Sequence, residues 1–174
     1  MEKINVLLTA FEAVPFFKSG GLGDVAGTLP GYINNEKFEV RVVLPKLKAI
    51  PEKFTEQMEY MSNFTVPLGW RNIYCGLFKL EYKGVTYYFL DNEGYFFRDK
   101  AYGEFDDAER IAFFSKAVLE SIQHLDGFEP QILHCNDWHT ALCPVFLKEH
   151  YRGLPLYENL RTIFTVHNLK FQGQ

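Results

Sequence analysis

The chain has 174 residues, of which 47% are hydrophobic and 23% are charged, the composition of an ordinary globular domain. A net charge of -4 without a long basic run gives no electrostatic footprint for nucleic acid or an anionic membrane surface. The apolar run at residues 4–8 is too short for a membrane span or a signal peptide, so we expect a cytoplasmic protein.

The first part of the chain predicts a βαβ unit. Residues 4–9 and 38–44 are apolar, β-branched runs typical of strands that are buried on both faces. Between them a glycine pair precedes apolar residues at the spacing of one helix face, namely Leu22, Val25, Ala26, Leu29 and Ile33.

The middle of the chain predicts an antiparallel hairpin. Residues 74–82 and 85–90 are aromatic and β-branched, and Lys83 and Gly84 between them form a typical hairpin turn. The polar and aromatic segment at residues 91–99 is interpreted as a solvated turn.

A long amphipathic helix is predicted next from the apolar face formed by Ile111, Phe114, Val118, Ile122 and Leu125. Asp106 and Glu109 have the spacing of a capping box at its start, and Gly127 follows its end.

The last part of the chain predicts a second βαβ unit. Residues 131–135 and 161–166 repeat the buried-strand pattern, and the segment between them is helical in character. Pro144 should kink this helix or confine it to a late start, because proline cannot donate a hydrogen bond to Thr140.

Together these elements predict a Rossmann-like α/β fold, a parallel sheet with helices on both faces and an antiparallel hairpin insertion. No linker or repeat marks a boundary, so residues 1–174 are predicted to form one unit. Few residues follow the predicted strand at 161–166, where a crossover helix is due, so we expect this domain to be incomplete.

Ligands bind parallel sheets at the carboxyl ends of the strands, and the first such loop leads into Lys18-Ser19-Gly20-Gly21-Leu22-Gly23-Asp24. Its glycines allow backbone N–H groups to approach an anion at a helix N-terminus, and Lys18 adds a positive charge. The pattern indicates a phosphate site. An alternative is that the glycines only form a turn and that Lys18 is a solvated charge.

The same glycines also match the dinucleotide-binding pattern G-x-G-x-x-A over residues 21–26. That pattern requires a tight turn directly after the first strand and an acidic residue after the second strand. Neither is present, so an NAD-dependent dehydrogenase is a poor alternative.

The loop after the strand at residues 131–135 carries Asn136, Asp137, Trp138 and His139. Asn, Asp and His supply hydrogen-bond donors and acceptors and Trp supplies a flat apolar face, a combination that suits carbohydrate. Asp137 is also a candidate helix N-cap with Trp138 in the core, which is compatible with the carbohydrate interpretation.

The loop after the last predicted strand begins with His167 and Asn168. At the carboxyl end of a strand this pair is better placed to hydrogen-bond a substrate than to pack in a core.

Metal binding is not indicated by the cysteines and histidines. The three cysteines, Cys75, Cys135 and Cys143, are an odd number without C-x-x-C spacing, and their spacing from His134 and His139 matches no standard zinc site. We therefore predict reduced, mostly buried thiols, no metal and no cofactor.

Taken in order, residues 18–25, 91–96, 134–139 and 165–173 closely resemble bacterial glycogen synthases and plant starch synthases, along the whole chain. Residues 18–22 resemble the family's K-x-G-G-L signature. The resemblance implies a GT-B glycosyltransferase with two Rossmann-like domains, of which residues 1–174 are part of the first, acceptor-side domain. It also implies transfer of glucose from ADP-glucose to the 4-hydroxyl at the non-reducing end of an α-1,4-glucan such as glycogen, with retention of configuration.

The resemblance implies roles for individual residues. Lys18, Gly20 and Gly21 match positions that lie against the phosphates and glucose of the donor. Asp24 and Asp137 match acidic positions linked to sugar binding and activity.

Tyr95 matches an aromatic position of the family, and His167 matches a histidine beside the reacting glucose. The predicted catalytic residues are therefore His167 and Asp137. The predicted substrate-binding residues are Lys18, Gly20, Gly21, Asp24, Tyr95, Asn136, His139 and Asn168.

In the family, the cations that neutralise the leaving diphosphate and the residues that read the base belong to the second domain. The resemblance therefore implies that residues 1–174 alone have little activity, because charge stabilisation of the leaving group is a large part of such catalysis. The choice between ADP-glucose and UDP-glucose stays open. So does the alternative of a glucan-binding or nucleotide-binding module without catalysis.

Overall fold

A seven-stranded sheet forms the centre of the structure, a computed structural model that describes residues 3–173. The strands are β1 (Ile4–Thr9), β2 (Phe38–Pro45), β3 (Glu59–Leu68), β4 (Arg71–Tyr82), β5 (Val85–Asp91), β6 (Ile132–Asn136) and β7 (Arg161–Thr165). The helices are α1 (Gly21–Ile33), α2 (Glu52–Thr55), α3 (Glu93–Phe96), α4 (Asp107–Ser121) and α5 (Leu142–His150).

The strands lie in the order β3-β4-β5-β2-β1-β6-β7, and the five from β5 to β7 are parallel. The chain moves from β1 to β2 in one direction and later from β5 to β6 and β7 in the other. Right-handed crossovers therefore place α1 on one face and α4 and α5 on the opposite face. The predicted Rossmann-like sheet with helices on both faces is confirmed, and its direction reverses between β1 and β6.

Most of the elements predicted from periodicity are present. Both strands of the first βαβ unit, α1 and the long helix α4 lie within a few residues of their predicted bounds. The β4–β5 hairpin turns at Lys83 and Gly84, both with positive φ, as a tight hairpin turn requires. Pro144 is the third residue of α5, where its missing N–H costs no hydrogen bond, so the predicted late start is confirmed.

Strand β3 was not predicted, and it extends the sheet beyond the hairpin. It pairs antiparallel with β4, while β5 pairs parallel with β2, so the insertion belongs to the main sheet. Phe64, Val66 and Leu68 alternate with exposed residues in its second half, a half-buried pattern that the prediction overlooked.

The prediction that the strand near residue 161 is buried on both faces is wrong for the described residues. Strand β7 lies at the edge of the sheet, and Ile163 and Phe164 are 48% and 43% exposed. Apolar composition identifies a strand, but it does not identify the strand's place in the sheet.

The predicted capping box at the start of α4 is also wrong. Asp106 precedes the helix, but its carboxylate accepts a hydrogen bond from Arg98 at 2.9 Å and makes no cap. Glu109 instead accepts from the hydroxyl of Tyr95 and pairs with Arg71 at 3.0 Å. Charged tertiary partners thus replace the backbone N–H groups as donors to both carboxylates.

The segment after β5 is not the solvated turn that was predicted. Residues 93–96 form α3, which Asn92 caps by accepting a hydrogen bond from the N–H of Tyr95 at 3.1 Å. Tyr95 and Phe96 are buried, and Phe96 packs edge-on against Phe11 beneath the carboxyl edge of the sheet.

All three cysteines are buried and free, as predicted. Within residues 3–173, no helix has the length and apolar character needed to cross a membrane.

Helix α1 is held close to the loop after β1 by a glycine. A Cβ atom at Gly27 would lie 2.3 Å from the carbonyl oxygen of Val14 and 2.7 Å from its nitrogen. Gly31, one turn later in the same helix, has no atom within 4 Å of its Cβ position. These two glycines therefore form a matched pair for mutation.

We predict that Gly27→Ala lowers the free energy of unfolding by about 2–3 kcal/mol, because the helix must move away from the loop. Gly31→Ala should raise it by about 0.5–1 kcal/mol, because alanine loses less backbone entropy in a helix. Urea denaturation of both variants measures the difference, and equal effects would contradict the close approach at Gly27.

Candidate functional site

Three loops meet at the carboxyl edge of the sheet, around the point where its direction reverses. They are residues 10–20 after β1, residues 137–141 after β6 and residues 166–168 after β7. Because β6 pairs in parallel with both β1 and β7, these loops start side by side. Lys18, Gly20, Asp137 and His167 therefore lie at one edge of the sheet, where α/β proteins bind their ligands.

The side chain of Asn136 is buried and determines which nitrogen of His167 carries a proton. Its Nδ2 donates to the carbonyl oxygens of Thr9 at 3.2 Å and of His134 at 3.1 Å, and its Oδ1 lies 2.9 Å from Nε2 of His167. Turning the amide over would place its oxygen against two carbonyl oxygens. The Nε2 atom must therefore donate, which leaves Nδ1 as the acceptor of the neutral ring.

Asp137 holds the backbone of His167. Its Oδ1 accepts a hydrogen bond from the N–H of His167 at 2.7 Å, and its side chain does not cap the 3₁₀ turn Trp138–Thr140 that follows. The predicted N-cap role of Asp137 is therefore wrong. With φ 57° and ψ 179°, Asp137 has a backbone conformation that is accessible mainly to glycine, at a cost of about 1–3 kcal/mol.

His139 occupies the core position that was predicted for Trp138. Its ring is 5% exposed and stacks on Phe11 at 4.9 Å and on Trp138 at 4.0 Å between ring centroids. Neither ring nitrogen has a hydrogen-bond partner among the described residues, and burial lowers the pKa of His139 to about 3. Trp138 is only half-buried, and Gly173 lies against its ring.

The glycine-rich loop is organised by Glu12, which the sequence analysis missed. Glu12 is 4% exposed. Its carboxylate accepts hydrogen bonds from the N–H and hydroxyl of Ser19 and from the N–H groups of Gly20 and Gly23. Part of the predicted phosphate cradle is therefore filled by an acid of the chain itself.

Lys18 and Asp24 are exposed to solvent. The Nζ atom of Lys18 lies 2.6 Å from the carboxylate of Asp24, and both side chains are about half exposed. Gly21 is exposed at the first position of α1.

Tyr102 connects the glycine-rich loop to the loop after β6 and was also missed. Its hydroxyl lies 2.8 Å from Oγ of Ser19, and its ring contacts Trp138 and His139 at centroid distances of 6.0 Å and 5.2 Å. Nothing in the spacing of residues 97–106 indicates this contact.

The remaining two predicted site residues are engaged locally. The Tyr95 hydroxyl donates to Glu109 at 2.5 Å, and burial, followed by this carboxylate, raises the pKa of Tyr95 to about 12. Asn168 is exposed, and its Oδ1 accepts a hydrogen bond from the N–H of Lys170 at 3.0 Å. Among residues 3–173, no hydrogen bond or ring contact joins Tyr95 or Asn168 to the other predicted site residues.

Other regions of the molecule are weaker candidates for a ligand site. A surface recess of about 540 Å³ near Asn34, Glu39 and Arg41 lies at the amino ends of β1 and β2, the edge opposite to that used by parallel sheets for ligands. In residues 3–173, no group of three or more His, Cys, Asp or Glu side chains could hold a metal ion.

The fold defines a Rossmann-like α/β domain with a cluster of polar side chains, the candidate ligand site, at the point where its sheet reverses. A profile of the starch synthase catalytic domain matches residues 5–174, and the chain belongs to that family.

Relatives named glycogen synthase match nearly the whole chain. The protein from Desulforamulus reducens is 54% identical over 170 residues, and that from Clostridium novyi is 48% identical over 171 residues, in each case 98% of this chain. The catalytic domain of starch synthase IV from Arabidopsis thaliana, solved bound to ADP and acarbose, superposes with a TM-score of 0.87 at 26% identity over 98% of this chain. The chain spans 35% or 36% of the length of these three proteins.

The buried neutral ring of His139 should make the free energy of unfolding depend on pH. The unfolded ring binds a proton below a pH of about 6.5, whereas the folded ring stays neutral down to a pH of about 3, so stability falls as the pH drops through this window. His139→Phe keeps a ring between Phe11 and Trp138 and removes the titration. Between pH 7 and pH 5 the wild type should lose about 2 kcal/mol more than this variant in denaturant unfolding. An equal loss in both proteins would contradict the buried neutral ring.

The hydrogen bond between His167 and the amide of Asn136 should determine the tautomer of His167. In the wild type at a pH where the ring is neutral, ¹⁵N spectra of histidine-labelled protein should show His167 protonated at Nε2 alone. Asn136→Ala removes the acceptor and should give a mixture of the two tautomers. His124, which stacks on Phe64 away from this edge, serves as the internal reference. A wild-type ring protonated at Nδ1 would contradict the assigned hydrogen bond.

Proposed function

We propose that the protein transfers glucose from ADP-glucose to the non-reducing 4-hydroxyl of an α-1,4-glucan such as glycogen, with retention of configuration. The observation that carries this proposal is the 54% identity to a glycogen synthase over 98% of the chain. The likeness to a starch synthase domain bound to ADP and acarbose supports an adenine nucleotide as donor and a carbohydrate as acceptor. The proposal assigns no metal and no cofactor.

The glycine-rich loop is proposed to bind the phosphates of the donor. Gly21 is the first residue of α1, and the ammonium of Lys18 pairs with Asp24 in the first turn of this helix, where the helix dipole favours an anion. The ion pair between Lys18 and Asp24 is exposed, and such pairs contribute little, so Lys18 can exchange this partner for a phosphate.

The loops after β6 and β7 are proposed to bind the glucose. His167 is exposed, and the hydrogen bond to Asn136 leaves its Nδ1 as an acceptor for a sugar hydroxyl. Asp137 is proposed to act by holding His167, because its Oδ1 accepts from the His167 backbone. The half-buried ring of Trp138 offers a flat apolar surface of the kind that packs against sugars.

We further propose that residues 1–174 form the acceptor-side wall of a two-domain enzyme, with the base and the leaving diphosphate bound mainly by another domain. The length of the relatives supports this arrangement, because the chain spans only 35% or 36% of them. Most of the charge stabilisation would then come from outside these residues.

The test is an assay of the complete gene product with ADP-glucose labelled in the sugar and a maltooligosaccharide acceptor. We expect the label in longer oligosaccharides, linked α-1,4, with UDP-glucose a poorer donor. Binding of ADP and maltooligosaccharide without transfer would instead indicate the non-catalytic module, and no binding of either would refute the proposal.

For Lys18 we predict that Lys18→Gln raises KM for ADP-glucose and lowers kcat in the complete gene product. Loss of a charge-assisted contact to phosphate should reduce kcat/KM by about 10-fold to 100-fold. Lys18→Arg should recover only part of the activity, because its broad guanidinium would crowd the neighbouring glycine backbone.

The melting temperature of Lys18→Gln should hardly change, because this exposed side chain supports no core. Lys37→Gln is the matched control, since Lys37 is an exposed lysine at the opposite edge of the sheet. If both variants keep wild-type donor kinetics, Lys18 is only a solvated surface charge.

A further inference from the structure

The carboxylate of Glu12 accepts four hydrogen bonds at the N-terminus of α1. Its Oε2 accepts from the N–H of Ser19 at 2.6 Å and from the Ser19 hydroxyl. Its Oε1 accepts from the N–H of Gly20 at 3.1 Å and of Gly23 at 2.9 Å. An ionised carboxylate has about four acceptor sites, so these donors use its full capacity.

This arrangement divides the N–H groups at the start of α1 into two pairs. The first four N–H groups of any helix lack partners within the helix, and here they belong to Gly20, Gly21, Leu22 and Gly23. Glu12 takes the first and the last of them. Among the described residues, those of Gly21 and Leu22 have no acceptor.

Glu12 also determines the path of Lys18. Ser19, the next residue, is held through both its N–H and its hydroxyl. On the other side, the aliphatic stem of Lys18 lies over Gly23, where an added Cβ would be 3.1 Å from its Cβ and Cγ atoms. Glu12 therefore fixes both the residue that follows Lys18 and the residue under its stem.

We propose that Glu12 is a positioning residue for the sugar-nucleotide donor, an inference that rests on the proposed function. It holds residues 18–23 so that the N–H groups of Gly21 and Leu22 and the ammonium of Lys18 face the phosphates together. Glu12 does not touch the donor. It acts by removing the need to order this loop when the donor binds.

A second effect of Glu12 has the opposite sign. Its negative charge lies close to the proposed phosphate site, and like charges repel. If the repulsion outweighed the ordering of the loop, neutralising Glu12 would tighten donor binding. The direction of the change in KM therefore decides between the two effects.

The test is Glu12→Gln in the complete gene product. Glutamine keeps the shape of the side chain, but its NH₂ group is a donor and would face two N–H or O–H donors of the loop. We expect KM for ADP-glucose to rise and kcat to fall, with kcat/KM lower by about 10-fold or more, the effect of losing hydrogen bonds to a charged group. KM for the maltooligosaccharide should stay within about twofold, since the change is confined to the donor loop.

Glu36→Gln is the matched control, because Glu36 is an exposed acid at the opposite edge and its loss changes the net charge equally. Kinetics are measured well below the melting temperature of each variant. A lower KM in Glu12→Gln, or kinetics equal to the wild type despite a lower melting temperature, would overturn the positioning role.

Hydrogen exchange provides a readout that does not depend on activity. The amides of Ser19, Gly20 and Gly23 should exchange faster in Glu12→Gln than in the wild type, and equal exchange would refute the inference. If Glu12→Gln does not fold, Ser19→Ala removes the hydroxyl that contacts both Glu12 and Tyr102, and it should give a smaller rise in KM that Tyr102→Phe does not reproduce. An unchanged KM in Ser19→Ala, or an equal rise in Tyr102→Phe, would count against the inference. If the wild type transfers no glucose, the proposed function fails, and the exchange rates still decide whether Glu12 orders the loop.

Discussion

The parallel pairing of β6 with its two neighbours is the constraint on which the carboxyl edge depends. Thr9 at the end of β1 lies opposite Cys135, and Asn136 at the end of β6 lies opposite Thr165 in β7. Three strands therefore end at one level. Because the strand ends are aligned, the amide of Asn136 can bridge from the carbonyl of Thr9 to the ring of His167.

At this edge two buried polar side chains, Glu12 and Asn136, are satisfied from within the protein. The buried carboxylate of Glu12 accepts four hydrogen bonds, and the buried amide of Asn136 makes three, two as donor and one as acceptor, all with neighbouring backbone and side chains. Such internal networks fix a site before a ligand arrives, which is how enzymes avoid reorganisation during reaction. Lys18 and His167 are among the side chains left facing solvent, together with Asp24 and Asn168.

The sequence was sufficient for the fold and for the location of the site, but not for its internal contacts. Long periodic segments such as α4 and the buried strand β1 were predictable, because burial imposes a pattern. Glu12 carried no signal, since a lone acid between apolar residues does not indicate that the loop folds four donors from residues 19–23 back onto it. The exchange of burial between Trp138 and His139 was equally hidden, because one residue of difference at a strand-to-helix turn decides which ring faces inward.

The backbone of Asp137 has a consequence for laboratory evolution. A glycine at this position would adopt the same φ and ψ without strain, which would relieve a cost of about 1–3 kcal/mol. The same replacement would remove the carboxylate that holds the backbone of His167. The strain relieved and the hydrogen bond lost are each about 1–3 kcal/mol and have opposite signs, so a screen that rewards thermal survival alone would be nearly indifferent at residue 137 and would not protect the contact that holds the histidine.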